Sequence, residues 1–313
     1  MSVSLRMLLI FISALAYATP IIFAGIGGLY SEKSGVVNVG LEGIMVIGAF
    51  VASVVAYYLG ASLGGFWMVI IALIASGIAG GIFSILHAVA SVSFRANQVI
   101  SGTALNMLAV SLTSFIVKIL FNGASDIPGS TVAYKMTVNV LGIEVNWTFF
   151  LILVVVIMTS FIFNKTKLGL RIRAVGENPS AVDSAGISVA KLRYFSVILG
   201  GMFASVGGAI VALTFVGGKF QSTTISGLGF LGLAALVFGK WKPWGVFSAA
   251  LFFGFCQSFA NTANSYFPEI LNYVPNFALR ILPYTFTIIA LVIFSRSAVG
   301  PKASGVPYDK GER

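Results

Sequence analysis

Apolar residues run along this chain in blocks too long and too unbroken for the half-buried helices of a soluble domain. Nine blocks stand out, at about 7–29, 38–59, 66–90, 98–120, 147–164, 194–216, 227–239, 244–263 and 278–295. Most reach the roughly 18 or more residues a helix needs to cross a hydrocarbon core of about 30 Å. Regular alternation of apolar and polar positions is absent, which speaks against a transmembrane barrel. The pattern predicts an all-α polytopic membrane protein with about nine spans, within bounds of eight to ten. The seventh block is short and lies between "GGKFQSTTISG" and "GKWKPWG". The second opens on an equally broken piece, "SEKSGVVNVGLEG". Both predict helices interrupted within the membrane. The N-terminal run "MSVSLRMLLIFISALAYATPIIFAG" has a basic residue ahead of apolar sequence. It is longer than a signal peptide and has no convincing small-residue cleavage site, so it counts as the first span.

The blocks also suggest an internal repeat. "VGLEGIMVIGAFVASVV" at 39–55 is similar to "SGLGFLGLAALVFGKWK" at 226–242, and each follows a long span and a Gly-containing loop. With nine spans, the first four and the last four run in opposite directions, so the repeat is inverted. Residues 1–313 then form a single membrane domain. Its parts are a first repeat at about 7–120, a linking span and charged loop at about 147–193, a second repeat at about 194–296 and a tail at 297–313. Inverted repeats with broken helices place a substrate path near the bilayer midplane. The pairs Gly77 and Gly81, Ser76 and Gly80, and Ala204 and Gly208 are spaced for close helix packing.

Composition agrees with the pattern and adds an orientation. The chain is 58% hydrophobic and 9% charged, with mean hydropathy +1.00 and net charge +10. In a membrane protein that positive balance belongs to the connections that stay inside the cell, not to nucleic acid. The stretch "KTKLGLRIRAVGENPSAVDSAGISVAKLR" at 165–193 holds eight charged residues and sets the cytoplasmic side. Alternation puts Lys33, Arg95, Lys240, Lys242, Arg296 and Lys302 there too, and Arg6, Lys118, Lys135, Lys219 and Arg280 at the outer side. The N-terminus is then outside and the C-terminus cytoplasmic. Within the charged stretch, Asn178 suits an N-cap, Pro179 the first turn and Gly186 the residue after the end, which predicts a helix over 179–185. So short a helix needs a partner surface, and its basic flanks belong at lipid headgroups.

Candidate chemistry is confined to a few polar residues in apolar surroundings. Asn38 and Glu42 open the second span, Asn106 lies in the fourth, and Gln257 and Asn261 lie in the eighth. Polar groups are costly there and mark a substrate path, although Glu42 can equally bond backbone donors at a broken helix, and Asn106 can pack between helices. Phe94 and Phe230 are candidate stacking residues. Lone His87 in its span reads as a packing residue, and Cys256, the single cysteine, as a buried free thiol. Intramembrane protease motifs are missing, as is any Gly-x-x-x-x-Gly-Lys-Ser/Thr phosphate loop.

Several segments together carry a resemblance. "GLRIRAVGENPSAVDSAGI" resembles the cytoplasmic coupling segment of permease subunits from bacterial ATP-binding-cassette importers, in the branch for branched-chain amino acids, simple sugars and nucleosides. "SEKSGVVNVGLEGIMVIGAF" is similar to the branch's first-half segment. "SGTALNMLA", "GLGFLGLAALVFGKWKPWG" and "GPKASGVPYDKG" resemble its nucleoside and simple-sugar group. The resemblance implies that the short helix docks into a separate ATPase, which binds ATP and magnesium; this chain itself carries no cofactor. The matching residues are Glu177, Asn178, Ala181, Asp183 and Gly186, with Arg171 and Arg173 on the preceding flank. It also implies a second homologous permease, as a heterodimer, and an external lipoprotein-type binding protein. An ion-coupled secondary transporter is the alternative that inverted repeats leave open.

Overall fold

The computed structural model describes residues 3–130, 132–140, 143–267, 269, 276–294 and 299–310. Eleven helices are found among them: α1 (Val3–Lys33), α2 (Leu41–Leu63), α3 (Gly65–Ala88), α4 (Gln98–Leu120), α5 (Thr148–Lys165), α6 (Lys167–Glu177), α7 (Pro179–Ser184), α8 (Val189–Phe215), α9 (Leu228–Phe238), α10 (Pro243–Tyr266) and α11 (Asn276–Phe294). A π-helical turn, Val89–Ser93, extends α3. A small antiparallel hairpin, β1 (Thr137–Val140) with β2 (Ile143–Asn146), pairs Thr137 with Asn146 and Val140 with Ile143.

Among the described residues seven helices are long and apolar enough to cross a membrane: α1, α2, α3 with its extension, α4, α5, α8 and α10. The expected count of nine is therefore not reached on these criteria. At 11 residues, α9 is about half a crossing, and α11 adds a 19-residue helix whose neighbouring residues lie outside those described. Three further points differ from expectation. Residues 38–40 are not helical, so the second span starts at Leu41. The flank before α7 is itself a helix, α6. The hairpin is an addition to an otherwise all-helical chain.

Helix packing follows a pattern of exchange. α1 packs on α10 as α8 packs on α3, and α2 packs on α8 as α9 packs on α1. Likewise α2 meets α3 and α4 where α9 meets α10 and α11. Swapping α1 with α8, α2 with α9, α3 with α10 and α4 with α11 maps the arrangement onto itself. α1 and α8 touch at the centre through Gly27 and Gly200, where a Cβ on either would strike the other's carbonyl. Lipid offers no hydrophobic drive for association, so such backbone approach is what binds the pair. Ser76, Gly80 and Gly81 of α3 serve likewise: Gly80 and Gly81 meet Ser205 and Met202 of α8, and Ser205 Oγ donates to the Ser76 carbonyl at 2.6 Å.

Connections gather at two ends. Lys33, Arg95, Lys240, Lys242 and Lys302 lie at the end that also carries α6, α7 and residues 299–310. Arg6, Lys118, Lys135 and Lys219 lie at the other, with the hairpin. Arg296 falls outside the described residues. At the hairpin end Tyr134 donates to the Leu213 carbonyl at 2.8 Å, and burial pushes its phenol up to about 12, so it keeps its proton.

Candidate functional site

Non-helical backbone buried in a helix bundle must find its hydrogen bonds within the protein. Residues 34–40, between α1 and α2, do so through side chains from three helices. Arg193 of α8 donates from Nε to the Ser34 carbonyl at 3.2 Å. His87 of α3 donates from Nε2 to the Val37 carbonyl at 2.9 Å, while its Nδ1 accepts from Ser101 Oγ at 3.0 Å. Gln98 at the start of α4 accepts the Val37 N–H at 2.7 Å. Asn38 turns its amide oxygen onto the Gly40 N–H at 3.1 Å. Asn106 clasps the start of α2 from both sides: it accepts the Gly43 N–H at 2.7 Å and donates to the Val39 carbonyl at 3.1 Å.

The second break precedes α9 and is held by the first. Glu42 accepts the Gly227 and Gly229 N–H groups, each at 2.7 Å, one on each carboxylate oxygen. These are open donors at the positive end of a helix, where an anion is favoured. Gly229 is a glycine by necessity here, since a Cβ would sit 2.6 Å from the Glu42 Cα. Tyr284 of α11 donates to the Ser226 carbonyl at 2.9 Å. Val39 and Ser226 begin the two similar sequence segments, and each has its carbonyl held by the corresponding helix, α4 or α11. The N-termini of α2 and α9 thus meet, joined through Glu42.

A cavity of ≈ 460 Å³ lies beside this junction, lined by residues of α1, α8, α10 and α11 and of the segment before α9. It brings together Gln257 and Asn261, which were expected to lie on a path, with Thr224, Ser226 and Tyr284. Asn261 donates to the Gln257 carbonyl at 2.8 Å, one turn away on α10. Tyr17 and Phe215 form its aromatic wall, with centroids 4.4 Å apart and planes inclined 15°. Phe230 and Phe94 are exposed and do not line it. Neither do Asn38, Glu42 and Asn106, whose side-chain oxygens accept backbone N–H groups at the helix starts. Sequence inspection missed Tyr17, Phe215 and Tyr284 because tyrosine and phenylalanine are too common in the chain to mark a site.

The charged stretch forms a rigid unit at the other end. Asn178 caps α7 by accepting the Ala181 N–H at 3.0 Å, and Gly186 ends it at φ +77°. Val182 packs with Val175 and Val189, fixing α7 on α6 and α8. Arg171, Glu177, Asn178, Ala181 and Gly186 are exposed. Asp183 and Arg173 are not: Asp183 faces Lys310 at 3.4 Å, and Arg173 turns inward. Residues 299–310 strap this unit from below. Ala303 N–H donates to the Gly176 carbonyl at 2.8 Å, Gly305 N–H to the Gly35 carbonyl at 3.3 Å, and Arg193 Nη1 to the Val306 carbonyl at 3.2 Å. Arg95 grips Asp309 with both terminal nitrogens, and Tyr308 packs against the valine cluster.

Comparison with known proteins gives relatives of matching length. Residues 10–294 match the family described as branched-chain amino acid transport system / permease component. The guanosine ABC transporter permease protein NupQ of Bacillus subtilis is 44% identical, with 96% of each chain covered. The nucleoside ABC transporter permease protein NupC of Lactococcus lactis is 40% identical over 95% of this chain and 96% of that one. NupB, also a nucleoside ABC transporter permease protein of Lactococcus lactis, is 24% identical over 94% and 84%.

Proposed function

The chain belongs to the family of branched-chain amino acid transport system permease components and is the membrane subunit of an ATP-binding-cassette importer; we propose that its cargo is a nucleoside. The cavity beside the α2–α9 junction suits such a solute. Gln257, Asn261, Thr224 and Tyr284 offer donors and acceptors for ribose and base edges, and Tyr17 with Phe215 offers a stacking wall. Two interrupted helices around it form an inverted repeat, with α1–α4 answered by α8–α11.

Energy enters through α7. This capped helix is too polar for lipid and presents an exposed surface, and that single observation carries the coupling proposal. A soluble ATPase, which binds ATP and magnesium, docks on Glu177, Asn178, Ala181 and Gly186. The end with α6, α7 and the tail is cytoplasmic, where basic residues collect, and the N-terminus of α1 is outside. A second, different permease completes the membrane unit, in keeping with the relatives NupC and NupB of one organism. A lipoprotein-type binding protein delivers cargo from outside.

Reconstitution tests this. Vesicles carrying this chain with its ATPase and second permease, supplied with loaded binding protein, take up labelled guanosine only with internal ATP. Uptake that follows an imposed ion gradient without ATP would reject the coupling scheme.

A further inference from the structure

A second recess lies at the α7 end of the bundle, apart from the proposed cargo path. It measures ≈ 320 Å³ and is bounded by the last turn of α1, the C-terminal end of α5, the middle of α6 and the start of α10. Lys33, Arg173 and Lys242 converge on it, with Ser160 and Asn164 as further polar groups and Trp244 beside them. Like charges brought together repel, so an arrangement of this kind calls for an anion.

The described residues do not supply one. Among the described residues no carboxylate lies within ion-pair distance of Lys33, Arg173 or Lys242. Glu177 acts on Lys33 only from farther away. Glu32, next in sequence, is buried and accepts the Trp241 Nε1–H at 2.6 Å. Arg173 Nε is buried and has no hydrogen-bond partner among the described residues. A guanidinium with an open N–H beside two ammonium groups matches the oxygens of a phosphate.

The approach to the recess identifies the bearer of that phosphate. On α5, Val154, Ile157, Met158 and Phe161 are 53–61% exposed and spaced as one helix stripe. The stripe leads to Ser160 and Asn164 at the recess. Trp244 stands half exposed at the rim, the position an indole takes at a membrane interface. An acyl chain along α5 would bring its headgroup to the three cations.

We propose that this recess is a binding site for the phosphate of an anionic phospholipid, held by Arg173, Lys33 and Lys242. Arg173 then works at the lipid boundary and not at the ATPase surface. The site ties α1, α6 and the α9–α10 connection together through a ligand from the bilayer.

Native mass spectrometry of the purified transporter decides it, with dioleoyl phosphatidylglycerol and dioleoyl phosphatidylcholine as probes. The wild type retains phosphatidylglycerol in preference to phosphatidylcholine. Arg173→Gln with Lys242→Gln weakens phosphatidylglycerol retention roughly thirty-fold, since each basic group at a membrane surface contributes about a factor of five. Lys240→Gln with Lys302→Gln removes the same charge from the same end and leaves retention unchanged. Equal retention of the two lipids by the wild type overturns the proposal. So does undiminished retention in the Arg173/Lys242 variant. Displacement of the lipid by millimolar inorganic phosphate assigns the site to a free anion and overturns the lipid assignment. If the variant fails to assemble, the wild-type lipid preference and phosphate competition still decide.

Discussion

Single polar residues in this bundle divide into those that hold backbone and those that face open space. Asn106→Ala removes the partner of the Gly43 N–H and of the Val39 carbonyl. Each orphaned group costs about 1–3 kcal/mol, so the purified transporter should show a clearly lower thermal midpoint. Gln257→Ala and Asn261→Ala leave no backbone N–H unpaired: Asn261 bonds within its own turn of α10, and the Gln257 side chain bonds the hydroxyl of Tyr284. Those variants should keep the wild-type midpoint and lose guanosine uptake; the opposite assignment of effects would move the path to the helix junction. Sequence alone marked Asn38, Glu42 and Asn106 as costly in lipid but could not say what each bonds. Glu42 finds its donors at Gly227 and Gly229, in the other half of the chain. Arg193 was hidden for a different reason: it read as one more loop cation, yet it is 1% exposed and pins Ser34 and Val306.

Among the elements, α7 was the easiest to anticipate, because Asn178, Pro179 and Gly186 define its ends through local chemistry. Gly186→Val forces a β-branched side chain to φ +77°, at a cost of about 1–2 kcal/mol. The end of α7 should fray, with less ATPase co-purifying and membrane insertion intact. Asp183 behaves otherwise, since its carboxylate meets Lys310. Asp183→Lys should therefore loosen the tail, and adding Lys310→Asp should restore ATPase co-purification. No rescue by the charge swap would put Asp183 in direct contact with the ATPase. The helix α6 was harder to see, since its basic residues read as a flank. The hairpin was harder still: four residues a strand give too little alternation to register. For α2 and α9 the apolar blocks gave the helices, while their broken starts depend on bonds from α3, α4, α8 and α11.

At the scale of the whole molecule, two ends of opposite character predict opposite accessibility. In a Cys256→Ser background, Ser180→Cys should react with an impermeant maleimide only from the cytoplasmic face, and Ala124→Cys only from outside. Outside labelling at position 180 would invert the bundle. Segments 39–55 and 226–242 each carry the start of an apolar helix after non-helical backbone, α2 at Leu41 and α9 at Leu228. The number of crossings was not visible in the sequence, because a half-length helix such as α9 has the hydropathy of a span without its length. The tail has a consequence for how the protein is made. Gly35 carries the carbonyl that Gly305 will bond, and Gly176 the one that Ala303 will bond. Synthesis runs from the N-terminus, so early segments fold before late ones exist. These acceptors wait, open, until residues 303–305 have been made. The surface built on α6 and α7 is closed only once residues 299–310 have been made, and a chain halted before them carries it unfinished.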